Sequence, residues 1–530
     1  MHFDVQADQL VPTRKGPPGQ CVLIPDKWND RGYLTTYDLW YRPSRDEATL
    51  LGRVKIARVN QERGRYPLRA GSFEALRPIG NLSPTDQHKV PQWFSLGQDE
   101  AYYDNIRALG DQVKHEILDG LADLAYSPKL LKRAMSQEVT KVSLLRGIEL
   151  QTVTTQFSRI AHGGPRLTPY DFAYMEYPTT PDVERLVLSF TVTPHSTPST
   201  NIHVLIGSNG VGKTTLLRRI AQAAVEPPSR SSPATIAHAP SPGASPGAPF
   251  INVVSVSFSA FDPFTGLLHD PSKNAVTRHV YVGLADPDSE AGEPKSRRML
   301  TEEFTSSVRK IFETDRAQLW METLDALRAD RHFTDSGIHR FARDLRIMRA
   351  HGVSFKAGDA HAARAIFRPL SSGHAIVLLT LTRLVEQTAE QSLVLLDEPE
   401  AHLHPPLLSS FLKAFSNLLT DRNAVAIIAS HSPVVLQEVP RACVWKLSRF
   451  ETLHAERPEI ETYGENVGIL THEVFGLEAR TSGFHSDIER AVARSSTYEE
   501  VLARFGGQLG GEARGIVRIL LAKNAAGGKH

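Results

Sequence analysis

The 530-residue chain is too long for one hydrophobic core, so two or three domains are expected. A net charge of +1 excludes a global attraction to nucleic acid or membrane, and any basic surface must be local. Two distant cysteines, Cys21 and Cys443, exclude a disulfide framework. No apolar run approaches the ~20 residues of a membrane span, and the first residues lack a signal-peptide core, so a cytoplasmic protein without a membrane part is expected.

Residues 1–160 read as an N-terminal α+β region of unassigned role. Gln20–Ile24, Tyr33–Tyr41 and Leu50–Ala57 carry β-branched and aromatic residues with partial alternation, which predicts antiparallel strands. Ser95–Asp99 reads as a turn into one helix over Glu100–Ala125. A second helix, from about Ser127, carries Lys129, Lys132, Arg133, Lys141 and Arg146; a solvated face is favoured over a phosphate-binding one. Tyr170–Val192 predicts strands, and Phe172, Tyr174 and Tyr177 are open between adenine stacking and core packing.

Ile202–Ile206 is a short apolar run of the kind that forms a buried parallel strand. It delivers Gly207, Ser208, Asn209, Gly210, Val211, Gly212, Lys213, Thr214 and Thr215, which fit the phosphate-cradling pattern G-x-x-x-x-G-K-[ST]. A helix is predicted over Thr214–Ala224. Glycines let backbone N–H groups turn inward around phosphates, and the helix offers its positive end. Lys213 is expected on the β- and γ-phosphates of ATP, and the Thr214 hydroxyl on Mg²⁺. Residues 226–249, rich in Pro, Ser, Ala and Gly, are expected to be a disordered insertion.

Phe250–Phe258 predicts another strand, completing a block at 165–289; residues 290–392 read as a helical lobe. Leu370-Ser371-Ser372-Gly373-His374 precedes an apolar helix, Ala375–Gln391, and forms an anion site at its N-terminus. In the block 393–450, the apolar strand from Ser392 ends in Asp397 and Glu398. Asp397 is expected to hold Mg²⁺ and Glu398 to act as general base on water. His402 and His404 are too few for a zinc site without a nearby Cys, and packing or hydrogen bonding is favoured for them. Strand Ala424–Ala429 brings His431 to its tip, where it can sense the γ-phosphate. Residues 451–530 read as a helical tail.

This order of motifs resembles the ABC-type ATPase superfamily. The forms D-E-P-E-x-H-L-H-P at 397–405 and S-H-S-P at 430–433 resemble its stand-alone branch. That branch includes the overcoming-lysogenization-defect, retron-linked and Septu-type antiphage ATPases, the RecF-like repair proteins and the coiled-coil break-repair ATPases. Glu461-Thr-Tyr-Gly-Glu-Asn-Val-Gly, with Phe475-Gly-Leu, is similar to the tail of the defence ATPases. The resemblance runs from about Tyr170 to the C-terminus. It implies an α/β fold: an ABC-ATPase head with a RecA-like parallel-sheet lobe and a helical signature lobe. It further implies a homodimer, or a higher oligomer of dimers, closed by ATP. Ser371 and Gly373 would contact the γ-phosphate held by the other copy, with Ser372 and His374 lining the turn. Two departures stand out. Ser372 replaces the first Gly of the usual L-S-G-G-[QE], which predicts slow turnover. The segment 259–264 has no Gln, leaving Ser259 or Asp262 as stand-ins. The function implied is an ATPase gating a separately encoded effector, a nuclease, in antiviral defence. The alternatives are a RecF-like repair ATPase binding DNA, with RNA contact also open, a transporter ATPase subunit, and a scaffold that dimerises on ATP without hydrolysing it.

Overall fold

The computed structural model describes all residues except 7–10, 14, 81–90, 165, 178–184, 226–233, 239–249, 259–276, 287–292, 315, 351–352, 450–451, 482–483, 496 and 528–530. The N-terminal region folds on a six-stranded sheet ordered β5-β1-β2-β3-β4-β6. Its strands are β1 His2–Val5, β2 Gln20–Pro25, β3 Thr36–Arg42, β4 Thr49–Arg58, β5 Gly71–Phe73 and β6 Trp93–Gly97. Only the β1–β2 pair is parallel. Tyr37 and Leu39 on β3 are buried while the alternate residues Asp38 and Trp40 are partly open, the period-2 pattern of a sheet packed on one face.

Three details of this region differ from the sequence reading. Ser95–Gly97 belongs to β6, and the helix predicted over Glu100–Ala125 is two, Glu100–Ala108 and Asp111–Gly120. They break at Gly110, whose φ of +93° lies outside helical space. The next helix, Pro128–Ala134, gives way to a π-helical turn at Thr140–Leu144. The five basic residues share no single phosphate-binding face. Arg146 pairs with Asp30 and Glu313 at 2.9 and 3.1 Å, and Arg133 donates to the Ile79 carbonyl at 3.4 Å.

The second region is built on a seven-stranded sheet ordered β12-β11-β13-β14-β9-β15-β16. Its strands are β9 Ile202–Ile206, β11 Asn252–Ser257, β12 Arg278–Gly283, β13 Ser392–Asp397, β14 Val425–Ser430, β15 Val444–Arg449 and β16 Leu453–Glu456. All neighbours are parallel except β15–β16. Every residue of β9, β11, β13 and β14 is buried, because both faces are covered; this is why β13 and β14 read as nearly continuous apolar runs, while β9 and β11 also bury His203, Asn252, Ser255 and Ser257. On one face lies helix Lys213–Val225 and a small antiparallel sheet, β10-β7-β8, of β7 Tyr170–Glu176, β8 Leu186–Val192 and β10 Ala234–His238.

Strand β10 corrects the expectation of disorder throughout 226–249. Residues 234–238 pair with β7, because Thr235 and Ile236 suit a strand and the open edge of β7 satisfies their backbone groups. The remaining residues of that stretch lie outside the described ones. Likewise β15 and β16 belong to the main sheet, so residues 453–456 are sheet where the sequence predicts the helical tail.

On the other face sit helices Arg297–Glu313, Ala317–Asp325, Arg331–Asp335, Ile338–Ala350, Ala357–Phe367 and Ser372–Gln387. The N-terminal region docks here. Trp28 joins this core, with Phe312 edge-on at 5.8 Å and the Arg349 guanidinium 4.0 Å over its ring. Buried Glu100 accepts from Arg422 at 3.1 Å and lies 3.6 Å from Arg166. Helices Phe484–Val492, Tyr498–Arg504 and Gly511–Gly527 close a separate small core around Ile488, Val501 and Val517. Both cysteines are buried and free, with burial pushing each thiol up to about 12. Among the described residues, no helix is long and apolar enough to cross a membrane.

Candidate nucleotide site

The strand order brings three strand tips together. β14 lies between the P-loop strand β9 and the acidic strand β13. Register keeps the tips level: Ser430 pairs with Ile206, and Asp397 with Ala429. Ligands of open parallel sheets bind at such carboxyl ends.

The loop after β9 is shaped by its glycines. A Cβ on Gly207 would sit 2.5 Å from the Leu447 carbonyl oxygen, so only glycine fits. Gly210 and Gly212 take φ of +78° and +106°, the region that favours glycine. Lys213 folds back and donates to the carbonyls of Gly207 and Ser208 at 2.8 and 3.0 Å. Burial lowers its pKa, opposed by the nearby Glu398, Glu400 and Asp397 carboxylates. The Thr214 hydroxyl donates to both Asp397 oxygens, at 3.0 and 3.1 Å. These oxygens fit Mg²⁺, because two cis ligands at about 2.1 Å in an octahedron stand about 3.0 Å apart. Ser208 is half-buried, and Asn209, Gly210 and Thr215 are exposed.

Glu398 holds a left-handed conformation, φ 45° and ψ 60°, fixed by its N–H bond to the Ala429 carbonyl at 2.9 Å. A non-glycine residue in that region stores strain, which concentrates at functional sites. His431 Nδ1 lies 3.8 Å from Glu398 and 3.2 Å from Glu400. Glu400 was not singled out from the sequence, yet it organises the tip. One of its oxygens accepts from the Ser430 hydroxyl and from the His431 N–H, both at 2.7 Å. The signal was present in D-E-P-E, where a third acid follows Glu398 by two residues. Arg449 was also missed. Its Nε donates to the Val211 carbonyl at 2.9 Å, placing a cation beside the loop.

The L-S-S-G-H segment caps helix Ser372–Gln387. Ser371 is the N-cap, and its hydroxyl lies 2.6 Å from His374 Nδ1. Ser371 and Ser372 are exposed, whereas Gly373 is buried against the turn after β13. A Cβ on Gly373 would meet the His402 carbonyl oxygen at 2.8 Å, so contact within the chain already requires a glycine there. His402 bonds the Phe258 carbonyl at 3.1 Å, and His404 caps helix Pro405–Asp421. Phe172 and Tyr174 are core residues, and Tyr177 is exposed. Segment 259–264, with Ser259 and Asp262, lies outside the described residues.

Residues 250–437 match the family model described as "AAA domain, putative AbiEii toxin, Type IV TA system". Over 519 residues the chain is 38% identical to protein ea59 of Escherichia phage lambda, covering 96% of each. The chain belongs to the ea59 family. The ea59 match takes in the N-terminal region as well as the region of the seven-stranded sheet. Two solved structures are also similar to this ea59-family chain. "An inward-facing conformation of a putative metal-chelate type ABC transporter" covers 58% of this chain and 89% of its own, at 16% identity and a TM-score of 0.28. UvrA2 from Deinococcus radiodurans covers 53% of this chain and 36% of its own, at 15% identity and a TM-score of 0.26. The ea59-family chain thus places its P-loop, Gly207–Thr214, just upstream of a segment matching an AAA domain model.

Proposed function

We propose that this ea59-family chain binds and hydrolyses ATP with Mg²⁺, dimerises on ATP, and gates a separately encoded effector in antiviral defence. One observation carries the hydrolytic part: Thr214 bonds Asp397, with Glu398 and His431 at the adjoining strand tips. Lys213 and the loop N–H groups bind and orient the phosphates, and the backbone at Gly210 is open to them. Thr214 and Asp397 would hold Mg²⁺, which supplies charge neutralisation at the phosphates. Glu398 takes a proton from the attacking water. Glu400 fixes the tip from which His431 faces the γ-phosphate. The exposed Ser371 and Ser372, with Gly373 beneath, suit a surface completed by a second copy. The tail pattern and the D-E-P-E-x-H-L-H-P form support the defence assignment.

Glu398→Gln is the direct test. Phosphate release should fall ~10²–10⁴-fold while ATP binding persists; unchanged release would refute the mechanism. Mixing Ser371→Arg with Lys213→Ala subunits should restore one working site per dimer, and no restoration would refute the shared site. DNA cleavage by the purified chain alone would refute the separate effector. Duplex-DNA stimulation with a steep salt dependence would support the RecF-like reading instead.

A further inference from the structure

His402 and His404 look like a pair in the sequence, yet the fold gives His404 different neighbours. Asp330, His374 and His404 each offer one ligand atom, and these atoms all lie within 4.8 Å of one another. They come from three separate places. Asp330 is the N-cap of helix Arg331–Asp335, His374 lies in the first turn of Ser372–Gln387, and His404 is the N-cap of Pro405–Asp421. His374 is buried, Asp330 partly so, and His404 is exposed. This grades the cluster from an anchored interior to an open mouth.

The two inner residues are already oriented. Asp330 Oδ1 accepts the His332 N–H at 2.8 Å, leaving Oδ2 facing His374 Nε2 at 3.2 Å. The other nitrogen of His374 is held by the Ser371 hydroxyl at 2.6 Å. Such outer contacts fix the ring and its tautomer in metal sites. His404 is the least committed: its Nδ1 accepts one long bond, 3.4 Å, from the Leu407 N–H. We infer that Asp330, His374 and His404 form a binding site for a first-row divalent transition metal of the Zn²⁺ class. Two imidazoles and a carboxylate suit such ions better than Mg²⁺ or Ca²⁺, which prefer all-oxygen shells. Three protein ligands leave a coordination position open to water.

The site would clasp the helical layer to the turn following β13. It also reaches Ser371. With no metal, His374 Nε2–H donates to Asp330, and Nδ1 accepts the Ser371 hydroxyl proton. With metal on Nε2, Nδ1 carries the proton and donates to Ser371, freeing that hydroxyl to donate outward. This last step rests on the reading of Ser371 as a phosphate contact; the metal site itself does not.

The test is Co²⁺ titration of the full chain in excess Mg²⁺, which fills the all-oxygen site at Thr214 and Asp397. One equivalent should bind with the visible absorption of a nitrogen-ligated, low-coordinate ion, and Zn²⁺ should displace it. His404→Asn and Asp330→Asn keep an N-capping side chain, so folding is preserved, and each removes a ligand. Each should weaken Co²⁺ binding at least ~100-fold, beyond the ~10–100-fold of an outer-shell change. His402→Gln should bind as wild type does. The inference is overturned if wild type binds no Co²⁺ under these conditions, if both Asn variants bind normally, or if His402→Gln loses binding equally. None of these results bears on phosphate release by Glu398, so this inference and the ATPase reading fail separately.

Discussion

Replacing Glu400 tests whether the acid hidden in D-E-P-E governs the position of His431. Its carboxylate oxygen accepts two bonds of 2.7 Å, from the Ser430 hydroxyl and the His431 N–H. The side chain is 9% exposed, so little water competes for these donors. Bonds to a charged acceptor contribute about 1.5–3 kcal/mol each, against about 0.5–1.5 kcal/mol for a neutral one. Glu400→Gln keeps an acceptor of the same shape and loses about 1–1.5 kcal/mol per bond. If half of that loss is felt in the transition state, kcat falls about tenfold, since about 1.4 kcal/mol is a factor of ten. Glu400→Ala strands both donors at about 1–3 kcal/mol each. With the same half felt in the transition state, kcat should fall about 5- to 150-fold. The assay is steady-state phosphate release across an ATP titration, with kcat changing more than KM, because Glu400 bonds the His431 tip and acts on Lys213 only through its charge. Rates of both variants within about twofold of wild type would refute a positioning role for Glu400. A rise in KM with kcat unchanged would place it in nucleotide binding instead.

Three further outcomes are expected. Lys213→Ala should abolish ATP binding without unfolding the chain, checked by nucleotide-dependent thermal shift; retained binding would place the phosphates elsewhere. Gly373→Ala puts a methyl 2.8 Å from the His402 carbonyl and should destabilise by about 1–3 kcal/mol, read as a lower Tm, and ATP turnover should fall with it. Glu100 has its pKa lowered: burial alone would raise it, but Arg422 and Arg166 outweigh burial. Its folded pKa thus lies below the ordinary value of 4.5, so its stabilisation is present above that pH and is lost as pH falls through the folded pKa. Glu100→Ala leaves the partly buried Arg422 with only Asp421, 4.0 Å away, and should cost about 1–3 kcal/mol at pH 7. Hydrogen exchange should rise at the docking surface, and the variant should show a flatter acid transition than wild type.

Legibility in the sequence followed how local each signal is. The P-loop was readable because its chemistry needs consecutive glycines, a lysine and a hydroxyl between a strand and a helix. Asp397 and Glu398 were readable because an apolar strand ends abruptly in two acids. Helix Glu100–Ala125 was predicted too long because Gly110 looks like one tolerable glycine, and only its positive φ marks the break. Strand β10 was hidden in a Pro- and Ser-rich tract, since its pairing depends on an edge of β7 about 60 residues upstream.

The sequence alone thus determined the parallel α/β fold and named most residues of one candidate nucleotide site, because period, burial and motif chemistry act over a few neighbouring residues. Only tertiary structure decided the rest. It set β14 between β9 and β13, so that His431 meets Glu398. It put the glycine at 373 under the His402 carbonyl. It seated Trp28 in the core of the helical layer, and it gathered Asp330, His374 and His404 from three helices. Contacts between residues tens to hundreds of positions apart leave no periodic trace in the chain, because they are fixed by sheet order and helix packing rather than by local geometry.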